Sequence, residues 1–154
     1  MELLWPAGLS LLLAFGAFND IRERRLPNWL ALALLIFGLA FAFVTGGPTA
    51  LGWHAAHAVI ALLVGMALFA TGAIGGGDAK VYAGMAAFFP LAAGISLLLY
   101  VTLSGGGLVI LWLLVRKILG KSKKDRDSIY AKFPYGVALA SGGILLAWSG
   151  SGLW

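Results

Sequence analysis

Hydrophobic residues fall in long uninterrupted blocks along this chain, and charged residues, prolines and glycines collect between the blocks. Such blocks are longer and more uniformly apolar than the stripe of a helix in a soluble domain, and they suit helices that cross a bilayer. The boundaries between them predict six helices. Their approximate ranges are 3–19, 29–44, 53–71, 78–89, 94–115 and 134–148. The pattern therefore predicts an all-α integral membrane protein, one domain built as a bundle of about six transmembrane helices.

The composition agrees with a lipid environment. Of the 154 residues, 61% are hydrophobic and 11% are charged, and the mean hydropathy is +0.96. A soluble domain carries roughly 25% charged residues. No basic segment precedes the first block and arginines follow it, which favours a retained first helix over a cleaved signal peptide. The sequence has no cysteine, which excludes disulfides and cysteine–zinc sites.

The basic residues lie in three places, at 22–25, at 80 and at 116–132. Counting along the six predicted helices puts all three places on one side, which is the cytoplasmic side by the positive-inside rule, with both termini on the other. The net charge of +5 is therefore a topology signal, and no nucleic-acid partner is predicted. Membrane lipid is the expected surrounding, and its anionic headgroups are a secondary partner for the basic loops. The predicted helix 78–89 is about 18 Å long, short of a hydrocarbon core of about 30 Å, and a re-entrant path there would break this topology.

Two aspartates adjoin the apolar blocks: Asp20 closes the first block and Asp78 opens the fourth. An ionisable group at membrane depth indicates a functional site. The predicted topology places both at the cytoplasmic end, where a bundle can bring them together. Two neighbouring carboxylates share a proton, so one can activate water while the other polarises a peptide carbonyl. The pair favours aspartyl proteolysis, and no metal or other cofactor is predicted.

Two other interpretations of the pair stay open at this point. Each aspartate alone suits a helix cap at the membrane interface. As a pair, they also suit a non-enzymatic membrane component, either a proton or cation pathway or an assembly scaffold. The glycines that precede Asp78, from Gly75 to Gly77, favour the protease because bare backbone lets an extended substrate strand approach closely.

Three stretches of the chain carry a family resemblance. They are Asp20-Ile-Arg-Glu-Arg-Arg-Leu-Pro-Asn28, Gly75-Gly-Gly-Asp-Ala-Lys80 and Pro134-Tyr135-Gly136. In this order and with this hydropathy, the chain resembles the prepilin peptidases, which are membrane aspartyl proteases of the GxGD type. It is most similar to the short form that serves tight-adherence (Flp-type) pili.

The resemblance implies more than the residues do. It implies a GxGD aspartyl protease fold with Asp20 and Asp78 as the catalytic residues. The implied substrate is a prepilin, with a short basic leader ahead of a hydrophobic helix, cut at the cytoplasmic face of the bacterial inner membrane. Longer members carry an extra cytoplasmic domain with paired cysteines and also methylate the new N-terminus. This sequence has neither the extra domain nor any cysteine, so methyltransferase activity is not predicted. The oligomeric state is left undetermined.

The residues that flank the two aspartates are candidates for shaping the site or binding substrate. Lys80 is expected to reach the interface, with contact to the site or substrate as the alternative. Asn28 is expected to cap the second helix. Tyr135 and its neighbours either shape the floor of the cleft or simply begin a helix after a proline. The full set of these candidates is Gly75, Gly77, Lys80, Pro27, Asn28, Pro134, Tyr135 and Gly136.

Two histidines stand apart from these stretches. His54 and His57 have the spacing of neighbours on a helix and could share a metal ion, but no further ligand accompanies them in the sequence. They are therefore expected to be interfacial histidines, and no metal site is predicted.

Overall fold

The computed structural model describes residues 3–118 and 134–149. Within these residues 88% are helical and no strand is present, which confirms the predicted all-α class. A 3₁₀ turn, Leu91–Ala93, connects the third and fourth helices. The α-helices are α1 (Leu4–Glu23), α2 (Asn28–Ala70), α3 (Gly76–Ala86), α4 (Gly94–Ile118) and α5 (Tyr135–Trp148).

Helix α2 is two helical arms joined at a sharp kink. Gly47 has φ 65° and ψ −159°, a backbone conformation that glycine adopts readily. It separates a first arm, 28–46, from a second arm, 48–70. Space for a side chain at Gly38 on the first arm is filled by Ala87, and at Gly65 on the second arm by Ala79. Since both arms pack along α3, the chain folds back at the kink, at the place where the sequence predicts a turn between two helices.

The arms run in opposite directions. Along the first arm, Lys80 contacts Asn28 and Ala87 lies against Gly38, so this arm is parallel to α3. Along the second arm, Ala79 lies against Gly65 and Phe89 contacts His57, so this arm is antiparallel to α3. The alternating direction predicted from the sequence is therefore present in this part of the bundle.

Among the described residues, three helices are long and apolar enough to cross a membrane: α1, α2 and the segment Leu91–Val115. When its arms are taken separately, α2 supplies rods of about 28 and 35 Å, each close to the thickness of a hydrocarbon core. Helices α3 and α5 are shorter, about 16 and 21 Å. A membrane protein with helices of spanning length is thus supported, while six separate crossings stay a prediction.

The helices form two packing units. Helix α3 packs chiefly along α2, and α5 packs along α1 and α4. Small residues permit the close approach within the second unit: Ala138 of α5 fills the space beside Gly105, and Val101 of α4 fills the space beside Gly142. Of the three consecutive glycines 105–107 on α4, only the first makes such a contact, since nothing lies within 4 Å of a side chain added at 106 or 107.

Several helix ends differ from the predicted ones. Helix α1 continues one turn past Asp20 and stops at Arg24, which adopts φ 56° and donates its N–H to the Asp20 carbonyl. The glycine break before Asp78 is shorter than predicted because α3 already begins at Gly76. Asn28 was expected to cap α2, and this was wrong: Pro27 is the N-cap, and the Asn28 side chain accepts a hydrogen bond from another helix. The predicted basic loop 116–132 lies largely outside the described residues.

Both histidines are buried within the protein, and their expected position at the membrane interface stays a prediction. His54 and His57 are 8% and 3% exposed. Their Nδ1–H groups donate to the Ala87 carbonyl at 2.9 Å and to the Phe89 carbonyl at 3.0 Å. Both carbonyls lie in the turn that follows α3, beyond its last residue Ala86, so each histidine supplies a hydrogen-bond donor to a backbone carbonyl there.

Candidate active site

Asp20, in the last turn of α1, has a buried side chain that lies against the beginning of α5. Its side chain is 7% exposed, and its Oδ2 accepts a hydrogen bond from the Gly136 N–H at 2.7 Å. Gly136 lies in the first turn of α5, where backbone N–H groups lack helical partners and the helix dipole favours negative charge. The first turn of α5 therefore supplies a hydrogen-bond donor to the Asp20 carboxylate.

Asp78 lies in the first turn of α3, outside the three helices of membrane-spanning length. Its Oδ2 accepts a hydrogen bond from the Gly75 N–H at 3.2 Å. Burial raises the pKa of Asp78 to about 6; the hydrogen bond from Gly75 opposes this rise, and the negative charge of Asp20 adds to it. The two aspartates thus interact electrostatically, although 57 residues separate them in the sequence.

A second contact joins the stretches that carry the aspartates. The backbone of Leu26 lies against Gly77, where a side chain would meet the Leu26 carbonyl at 3.4 Å. One helical turn further on, the Lys80 ammonium donates to Asn28 Oδ1 at 3.0 Å. The segment that leaves α1 after Asp20 is therefore held against the first turn of α3.

A cavity of about 350 Å³ opens beside Asp78. Tyr82 follows Asp78 by four residues and lies on the same face of α3, so both line this cavity. Tyr135 lines it from α5, one residue before the N–H that binds Asp20. Asp78, from the packing unit of α2 and α3, and Tyr135, from the packing unit of α1, α4 and α5, thus line the same cavity.

One protein-family model matches most of the chain. The model of the type IV leader peptidase family matches residues 7–114, which include both aspartates and their flanking stretches. The chain belongs to the type IV leader peptidase family. No curated protein and no solved structure matches the chain significantly. Family membership supports a leader peptidase of the aspartic type.

Of the residues predicted for the site of this leader peptidase, only Asp78 and Tyr135 line the cavity. Of the predicted site-shaping residues, Gly75 is the N-cap of α3 and Pro134 the N-cap of α5, so both define helix starts that carry donors to the aspartates. Lys80 and Asn28 pair with each other instead of lining the cavity. Within the part of the chain that the structure describes, no group of three or more side chains has the character of a metal site.

Sequence reasoning missed Tyr82. It lines the cavity of the leader peptidase beside Asp78, yet it resembles an ordinary aromatic residue of an apolar helix. The spacing of four residues from Asp78 is the signal that could have found it, because residues four apart share a helix face.

Proposed function

We propose that this leader peptidase is a membrane aspartyl endopeptidase that removes the short basic leader of Flp-type type IV prepilins. Asp20 and Asp78 are its catalytic residues, and it cuts at the cytoplasmic face of the bacterial inner membrane. The observation that carries the proposal is that both aspartates lie near the beginning of α5: Gly136 binds Asp20, and Tyr135 lines the same cavity as Asp78.

The two carboxyl groups differ in a way that suits the two tasks of peptide hydrolysis. Asp20, which accepts the Gly136 N–H, acts as the base and takes a proton from the attacking water. Asp78, whose burial favours the protonated form, donates a hydrogen bond to the peptide carbonyl and protonates it as the new C–O bond forms. The tetrahedral intermediate then loses its amine: the proton held by Asp20 passes to the leaving nitrogen, Asp78 takes back its own, and the C–N bond breaks.

The membrane topology of the proposal rests on charge and packing. Arg22 and Arg25, next to the end of α1, and Lys80, on α3, lie at the same end of the bundle as the aspartates. Basic residues mark the cytoplasmic side, so the site opens there. In the proposed GxGD-type bundle, α1, the arms of α2 and α4 are the long members. Helices α3 and α5 complete it as the short members, with Asp78 at the aqueous end of α3.

The decisive experiment is co-expression with a prepilin precursor, followed by measurement of leader removal on gels and by mass spectrometry. Asp20→Asn and Asp78→Asn each keep the shape of the side chain and remove its acid. Each is expected to lower the rate by about a thousandfold or more, since the residues act as a unit. Asp127→Asn, an acid outside all three family stretches, is the matched control and should process normally. The mature pilin is expected to carry an unmethylated N-terminus.

The experiment also separates the peptidase from the alternative interpretation. A non-enzymatic proton or cation pathway would give no cleavage by the wild-type chain, and proteoliposomes would show an ion flux that depends on the same aspartates. Complete processing by either asparagine variant would remove the basis of the proposed mechanism.

A further inference from the structure

A groove runs from the proposed catalytic carboxylate along the length of the bundle. It is the cavity that Asp78 and Tyr135 line at one end, and it reaches His57 and Gly94 at the other. From His57 to Leu68 on the second arm of α2, the groove follows the helix for about 17 Å, or three turns. Between its ends the walls formed by this arm and by α4 are apolar, except for Thr102.

The groove is open sideways. Its two long walls belong to different packing units, because the second arm of α2 packs along α3 while α4 packs mainly along α5. Val64 on one wall and Leu98 on the other are each 55% exposed. Both walls belong to helices of membrane-spanning length, so this exposed apolar surface faces hydrocarbon and not water.

We propose that this groove holds the apolar helix of the substrate, which enters sideways from the bilayer between the second arm of α2 and α4. The proposal rests on the proposed function and adds the binding surface to it. The order of chemistry along the groove matches that of the substrate. Two carboxyl groups, Asp20 and Asp78, lie at the end where the basic leader meets the scissile bond, and an apolar channel follows where the helix begins.

A second cavity offers a comparison. It has a volume of about 500 Å³ and lies between α1 and the first arm of α2, with Trp5 and Phe41 among its apolar lining residues. Neither aspartate lines it. A helix bound there would therefore not lie beside either carboxyl group, whereas a helix in the groove places its end beside Asp78.

Tryptophan substitutions test the groove with neighbouring residues as controls. Val64→Trp and Leu98→Trp place a large ring in the groove, one from each wall. Leu63→Trp and Leu99→Trp place the same ring on exposed positions, 65% and 51% exposed, that do not line the groove. The groove variants are expected to lower kcat/KM for a prepilin precursor by about tenfold or more, because the ring competes with the substrate helix for space. The controls should stay within about twofold of wild type.

Cross-linking provides a readout that does not depend on turnover. Because the chain lacks cysteine, Val64→Cys, Leu98→Cys and the matched Leu63→Cys and Leu99→Cys each carry a single thiol. In the Asp78→Asn background, each is combined with a precursor that carries one cysteine in its apolar helix, and a bifunctional maleimide is added. Adducts are expected from the two groove positions and not from their neighbours.

The outcomes distinguish this proposal from the proposed function. If the wild-type chain fails to cleave the precursor, the peptidase assignment itself is wrong. If the wild-type chain cleaves it, but the tryptophan variants cleave equally well and all four thiols react alike, the groove is filled by lipid and the substrate binds elsewhere. Should a tryptophan variant fail to accumulate in the membrane, the cross-linking result alone decides.

Discussion

Gly136 and Asp20 are in direct contact across 116 residues of sequence. The Gly136 N–H donates to Asp20 Oδ2 at 2.7 Å, and a Cβ atom at Gly136 would lie 2.9 Å from the Asp20 Cβ and 3.0 Å from its Oδ2. Real Cβ atoms essentially never show the first distance, and the second is tighter than nine in ten real Cβ contacts. The beginning of α5 therefore both binds the carboxylate and requires a residue without a side chain.

Gly136→Ala is expected to lower leader removal by about a hundredfold, because the methyl group displaces Asp20 and weakens its hydrogen bond to the helix start. The free energy of unfolding should fall by about 1–3 kcal/mol, as for other overpacked sites. Cleavage of a prepilin precursor and thermal unfolding in detergent measure the two effects separately.

Gly106→Ala is the matched control, since a side chain at Gly106 on α4 meets nothing within 4 Å. Alanine is favoured over glycine in a helix by about 1 kcal/mol, so this variant should keep its activity and be at least as stable as the wild type. Normal processing by Gly136→Ala would show that the close contact does not position Asp20.

The two aspartates could be selected from the sequence as candidate catalytic residues for a physical reason. Acid is rare in a chain of apolar blocks, so Asp20 and Asp78 stand out by position, and the basic residues beside them fix a common end of the bundle. The turn at Gly47 was also predictable, because glycine followed by proline interrupts a helix. In the same way, the all-α class follows directly from the length of the blocks.

Other features depend on packing between distant segments. That Asn28 pairs with Lys80 instead of capping α2 could not be read locally, because the capping preference of asparagine is the same in either arrangement. The burial of His54 and His57 has a similar cause: their partners are carbonyls in the turn after α3, more than 30 residues away. The division into two packing units follows from such contacts and has no signature in the hydropathy pattern.

The two phenols that line the cavity beside Asp78 are expected to contribute to substrate binding. Both residues line the apolar groove, and Tyr82→Phe and Tyr135→Phe remove only the hydroxyl group, which we expect to hydrogen-bond the substrate backbone. Each should lower kcat/KM by about tenfold, the effect of losing one such hydrogen bond. Tyr100→Phe, on α4 and outside the lining of the cavity, should cleave normally. Equal rates for all three variants would leave the phenols as packing residues only.

The Asn28–Lys80 hydrogen bond is expected to contribute only weakly to holding the beginning of α2 against α3. Asn28→Ala and Lys80→Met each remove one partner, and because the pair is exposed, each should lower the free energy of unfolding by about 1 kcal/mol or less. The double variant should be no less stable than either single one, as a double-mutant cycle requires for residues that act through each other. Fully additive losses, measured by thermal unfolding, would show that the two side chains act independently.

The pH dependence of cleavage follows from the environment of Asp78. Burial raises its pKa to about 6, and Asp20 adds to the rise. As the proposed acid, Asp78 must hold its proton, and it loses that proton as the pH rises, so kcat/KM should fall above about pH 6. Substrate in the groove buries Asp78 further, which should move the corresponding limb of the pH profile of kcat to higher pH.

Carboxyl NMR of ¹³C-labelled aspartate tests the cause: in Asp20→Asn, the pKa of Asp78 should be lower than in the wild type. A pKa unchanged by that substitution, or a rate independent of pH between about 5 and 8, would contradict a proton shared across the pair.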